Sequence, residues 1–207
     1  MSTGTQTETF DSLYSLLLSF RPPLLHPPKP KDTSLTDRIS SLRLHPAIEA
    51  GLHILNYDLP SAHFLLRKMQ SLPAQEGMFL HGVLHRIEGD YPNARAWYSD
   101  VSDTDIMAYV WGQKGEGTEG GKACGFVYDV EKLDQRVKQG VKGVRVEREQ
   151  ERLEEESKRE LAMIMDYCRQ RIGLDEWEDA RGAYVENSEK IKTAGQGQTT
   201  GTETRTF

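Results

Sequence analysis

The chain has 207 residues, 37% of them hydrophobic and 28% charged, enough for one compact domain burying about 70% of its unfolded surface. Thirty-two acidic residues against 26 basic ones give a net charge of −6, which argues against nucleic acid as a partner, because a general binder needs a basic surface to displace phosphate counterions. No apolar run approaches the roughly 20 residues that span a bilayer, so no membrane partner is expected.

Residues 13–20, LYSLLLSF, form the first apolar stretch. A secretory signal needs a positive segment ahead of its apolar one, but here Glu8 and Asp11 come first and the first cation is Arg21. The stretch predicts an amphipathic helix docked on the core. All nine prolines lie in residues 1–92, five of them between positions 22 and 30. Proline removes a helix donor and restricts the residue before it, so this run predicts an extended linker. Residues 1–35 therefore read as an N-terminal helix and a proline-rich linker.

Residues 36–101 read as a core of helical hairpins. Apolar residues recur at three- and four-residue spacing over 47–56, 61–70, 76–88 and 92–101. Pro60 and Pro92 fall where a helix tolerates proline, in its first turn, which makes the residues just before them the turns of two hairpins. The hairpins agree at an offset of 32: Ala50 with Gly82, His53 with His85, Asp58 with Asp90, Ala62 with Ala94, and Leu66 with Tyr98. A third, weaker copy runs through Cys168, Glu176, Trp177, Ala180 and Tyr184. A small residue in one helix, a Gly-Asp-Tyr-like turn, then Ala and an aromatic four residues later resembles the tetratricopeptide unit. The small residues would let helices approach, and the aromatic would fill the space toward the next hairpin.

Beyond the hairpins, residues 102–127 read as a glycine-rich excursion, with six glycines among residues 112–125. Residues 128–193 read as C-terminal helices packing on the core, including a long helix over 144–171 and a last hairpin. The middle of the long helix carries seven acids and only Leu153 as an apolar residue between 147 and 160, which predicts a solvated face or a partner-binding one. Residues 194–207 are polar and aperiodic, a disordered tail. Both ends and the glycine loop are expected to be mobile.

The segment Phe79-Leu-His81-Gly-Val-Leu-His85-Arg86-Ile-Glu88-Gly-Asp90-Tyr91-Pro-Asn93-Ala94-Arg-Ala-Trp97-Tyr98, with Asp58-Leu-Pro-Ser-Ala62-His63 ahead of it, resembles an uncharacterised family of bacteria and filamentous fungi. That family shares a His-x-x-x-His-Arg core followed by Asp-Tyr-x-Asn-Ala-x-x-Trp-[Tyr/Phe]. The resemblance covers residues 45–101. It implies an all-helical fold and no particular activity.

His81 and His85 stand i,i+4 on one helix, the spacing that lets two imidazoles share a metal, and stacked hairpins would bring His63 near. Glu88 lies one turn beyond His85. The simpler expectation is that the histidines sit between helices, neutral and hydrogen-bonded, with no metal or other cofactor; His63, His81 and His85 are the alternative metal set. Arg86, Glu88, Asp90, Asn93, Arg95 and Trp97 form the densest polar-aromatic group and could line a groove. Asp90 and Asn93 double as turn and capping residues, and Arg86 is expected to pair with an acid across the hairpin.

The run Gly115-Glu-Gly117-Thr-Glu-Gly120 matches a dinucleotide fingerprint in form only, because two glutamates would face the pyrophosphate and no βαβ unit surrounds it. Two cysteines, Cys124 and Cys168, are too few for a zinc framework and predict free thiols in a reducing, cytoplasmic setting, Cys124 exposed and Cys168 buried. The expected protein is all-α, with tetratricopeptide-like hairpins, a long charged helix and a Gly-rich loop. Its expected role is a binding or scaffolding module for a protein partner, through a groove of His63, His81, His85, Arg86, Glu88, Asn93 and Trp97 or through the charged helix. The alternative is a small helical metal-dependent or ligand-binding enzyme using His81, His85 and His63.

Overall fold

The computed structural model describes residues 8–25, 29–112, 121–189 and 191–193. The glycine motif at 115–120 and the tail from 194 onward lie outside them. Among the described residues the protein is all-α, with no strand. The helices are α1 Phe10–Leu18, α2 Leu35–Ser40, α3 Pro46–Leu55, α4 Leu59–Leu66, α5 Gln75–Glu88, α6 Tyr91–Asp100, α7 Asp105–Trp111, α8 Lys122–Lys138 and α9 Val144–Ile172, followed by a 3-10 turn, Ala180–Ala183.

Helix α1 starts at a capping box in which Thr9 and Ser12 satisfy each other's backbone N–H groups. It buries Phe10, Leu13 and Leu17 and packs on α3, as its amphipathic pattern requires. Helix α3 packs on α4, α5 on α6, and α4 on α5, so these four helices form a continuous stack. The two turns share their local geometry. Asp58 and Asp90 both cap the following helix, accepting from the N–H of Ser61 and of Asn93 at 3.3 Å each, with a proline in the first turn. In each turn the aspartate N–H donates to a histidine carbonyl five residues back, His53 or His85, at 2.9 Å. That closure needs a left-handed residue just before the aspartate. Gly89 supplies it at φ +84°, and Tyr57 takes the same conformation at φ +62° without glycine's freedom.

Close approach within the second pair depends on Gly82. A Cβ there would meet the Tyr98 ring at 2.8 Å and the Trp97 Cβ at 3.0 Å. Ala62 and Ala94 are fully buried at the matching positions of the two second helices.

Four expectations are corrected. The stretch read as a glycine-rich excursion contains α7 and the first turns of α8. Ile106, Met107 and Val110 bury one face of α7, and Gly125 sits inside α8, since one glycine costs a helix only about 1 kcal/mol. Cys124 is consequently buried in α8 rather than exposed. The last hairpin is absent: residues 173–187 contain no α-helix. Gly173, at φ +85°, ends α9, and the chain beyond it is tied down by single backbone bonds, Trp177 N–H to the Arg43 carbonyl at 2.7 Å and Val185 N–H to the Lys68 carbonyl at 2.9 Å.

The fourth correction concerns α9, whose charged middle is not solvated on all sides. Leu153, Ser157, Glu160, Leu161, Ile164 and Cys168 recur at helical spacing and are all fully buried. A small serine and a paired glutamate take the places that apolar residues would hold. Helix α9 packs on α3, α5, α7 and α8, closing the core.

Candidate metal centre

The α4–α5 contact and the α5–α6 pair bring most of the singled-out residues to one place. His81 and His85, one turn apart on α5, stack with ring centroids 5.2 Å apart and planes 17° apart. Trp97 of α6 continues the column, lying 4.8 Å from His81 at 10°. His63 of α4 meets the column edge-on, 5.0 Å from His81 and 5.4 Å from His85. One ring nitrogen from each of the three histidines lies within 4.8 Å of the other two.

Burial is graded across the cluster. The His81 side chain is enclosed, that of His85 is 13% exposed, and that of His63 is 40% exposed. The site therefore has a rigid inner wall and one ring at the solvent.

A ring of acceptors and donors orients the imidazoles. Glu88 bridges two of them, with carboxylate oxygens 3.6 Å from His63 Nδ1 and 3.3 Å from His85 Nδ1. Burial alone would raise the Glu88 carboxyl, but hydrogen bonds and charge attraction from His63 and His85 outweigh it and hold the group at about 2. Asn93 Nδ2 lies 3.3 Å from Asp90 Oδ2 and 3.2 Å from His85 Nε2. An amide nitrogen only donates, so His85 Nε2 is the acceptor and Nδ1 carries the proton toward Glu88. That tautomer places the Asn93 N–H on the single Nε2 lone pair, so a metal taking Nε2 would displace Asn93, while Glu88 stays behind the ring as carboxylates do behind histidine ligands.

In a tetrahedral zinc site ligand nitrogens stand about 2.0–2.1 Å from the ion and so roughly 3.3 Å from one another. The present nitrogens, within 4.8 Å of one another, must draw closer to reach that value, and His63 is the most exposed of the three rings. Three imidazoles suit Zn2+, Cu2+, Ni2+ or Fe2+ and are poor ligands for Ca2+ or Mg2+. Three protein ligands also leave a position for water or a substrate atom.

Arg86 is the residue the sequence misplaces. It does not line a groove and does not pair across its own hairpin. Fully buried, it reaches α9, where its Nη2 donates to Glu160 Oε2 at 2.8 Å and lies 3.2 Å from Ser157 Oγ. Glu160 also accepts from Tyr98 Oη at 2.6 Å and from Trp111 Nε1 at 3.1 Å. The Arg86 guanidinium lies over the Phe126 ring, 4.7 Å from its centroid. His81 and Trp97, expected as groove residues, are likewise interior, whereas His63, His85, Glu88 and Asn93 stay partly accessible. Helical spacing pointed to the histidine pair. Glu160 carries one signal in the residue order, its place at helical spacing with Leu153, Ser157 and Leu161.

Comparison with protein-family models, with curated proteins and with solved structures finds no match.

Proposed function

We propose that this is a helical metal-binding protein that holds one divalent transition ion, best Zn2+, on His63, His81 and His85. The observation that carries the reading is the convergence of three imidazole nitrogens within 4.8 Å, contributed by two different helices. Glu88 supports it by fixing the orientation of two of the rings. A groove for a protein partner at the same residues has less behind it, because Arg86, His81 and Trp97 are interior and leave little surface to read.

The test is titration of the purified chain, stripped by chelator, with Zn2+ and with Co2+ as an optical probe. The expected result is one ion per chain, a cobalt spectrum of low coordination number, and a melting temperature that rises with free metal by mass action. His63→Gln should weaken binding severely while leaving the fold intact, since that ring sits at the surface. Absence of stoichiometric binding by the folded wild-type chain would refute the reading.

A further inference from the structure

Far from the histidines in sequence, the connection between α8 and α9 carries a surface that neither the core nor the metal reading uses. Residues 137–145 are all exposed, a run that includes three valines: Val137 at 41%, Val141 at 42% and Val144 at 62%. Three exposed valines within eight residues put apolar surface beside a run of cations at this turn. Arg136, Lys138, Lys142, Arg145 and Arg148 surround them, against Glu147 as the lone acid from 136 to 148, so this segment is +4 in a chain of −6. Arg136 pairs with Glu149 and Lys138 with Asp134, while Lys142, Arg145 and Arg148 have no ion pair among the described residues.

The tip is nonetheless ordered in the backbone. Gly140, at φ +74°, closes α8, with its N–H on the Val137 carbonyl at 2.9 Å and the Val141 N–H on the Arg136 carbonyl at 3.0 Å. Val146, the residue just after the exposed run, is buried and anchors the start of α9.

We infer that the α8–α9 tip docks on an anionic lipid surface, with Val141 and Val144 entering the headgroup boundary and the surrounding cations meeting lipid phosphates and carboxylates. Charge decides the sign of the partner: a basic cap on an acidic protein orients it toward negative charge and turns the rest of the molecule away. Shape decides between a membrane and an acidic peptide. Nine consecutive exposed residues at the turn between α8 and α9 leave an open stretch of surface that suits a broad, deformable partner. That no helix among the described residues is long and apolar enough to cross a membrane concerns spanning, and surface docking needs no such helix.

The full chain should be sedimented with phosphatidylcholine vesicles and with vesicles in which about one third of the lipid is phosphatidylserine. The expected result is partitioning at least roughly tenfold stronger onto the anionic vesicles, falling as salt is raised. Lys142→Glu with Arg145→Glu should abolish it, and Val141→Asn with Val144→Asn should reduce it severalfold at unchanged charge. All four positions are exposed, and circular dichroism of each variant checks the fold. Equal binding to both vesicles, or undiminished binding by either variant, would overturn the proposal. Binding to polyglutamate without binding to anionic vesicles would overturn it in favour of an acidic protein partner.

Discussion

Arg86 of α5 and Glu160 of α9 stand 2.8 Å apart with both side chains wholly removed from water. Seventy-four residues separate them in the chain, and their pairing fixes how α9 lies against the four-helix stack. Two Arg86 nitrogens, Nε and Nη1, are buried without a hydrogen-bond partner, so the ring face of Phe126 and the Glu160 charge carry most of the compensation. A pair of this kind adds little net stability, but breaking it from one side is costly.

Arg86→Met should therefore destabilise the protein by about 3–5 kcal/mol in urea unfolding, because Glu160 is left charged and unpaired. Adding Glu160→Gln should restore a substantial part of that loss. The glutamine oxygen still accepts from Tyr98 and Trp111 without carrying a charge. A double variant no more stable than Arg86→Met alone would show that charge imbalance is not what the single change costs.

Gly82 and Gly125 are both helical glycines with opposite surroundings. Gly82→Ala should lower stability by about 1–3 kcal/mol, since the new methyl group meets the Tyr98 ring at 2.8 Å. Gly125→Ala, with nothing within 4 Å of the added carbon, should instead gain roughly 0.5–1 kcal/mol from helix propensity. Thermal melts of the two variants moving in the same direction would contradict this packing.

The His45 side chain caps α3, its Nδ1 accepting from the Ala47 N–H at 3.1 Å while Trp177 meets its ring edge-on at 4.5 Å. Burial pushes its pKa from 6.5 down to about 4. Between those values the unfolded chain takes up a proton that the folded chain refuses. The capped state is therefore fully stabilised above about pH 6.5 and loses that stabilisation as pH falls toward 4, a change on the order of 1–3 kcal/mol. His45→Asn keeps a capping acceptor without the titration. Subtracting its stability profile from the wild-type one should isolate the slope, and a flat difference would remove His45 as its source.

Glu88 adds a second slope in the same direction, through the loss of a charge on protonation rather than the gain of one. Its folded pKa lies at about 2, below the ordinary 4.5, so its stabilisation is complete above pH 4.5 and disappears as pH falls toward 2. Glu88→Gln should erase that acid-side slope. On the metal reading it should also weaken zinc affinity by about 10–100-fold, the usual effect of removing a carboxylate behind histidine ligands. Affinity within twofold of wild type, measured by competition with a chromophoric chelator, would mean that Glu88 does not orient the ligands.

Much of the fold is local chemistry and was legible in residue order. Asp58 and Asp90 cap helices because each precedes a first-turn proline and finds the free N–H of Ser61 or Asn93 within reach of its carboxylate. The i,i+4 spacing of His81 and His85 put both rings on one face, and the 32-residue offset anticipated the shared turn geometry around Tyr57 and Gly89. Small residues at 62, 82 and 94 announced close packing before any partner was known. Tertiary structure alone decided which charges are interior. Arg86 and Arg95 both stand among polar and aromatic neighbours in the sequence, yet Arg86 is sealed against Glu160 while Arg95 meets Glu131 in partial contact with water. It also decided that Trp97 stacks beneath His81 rather than lining a groove, and that His63 completes a three-nitrogen cluster. Those outcomes depend on how α4, α6 and α9 settle against α5, and such contacts come from packing whole faces, for which no short stretch of sequence holds enough information.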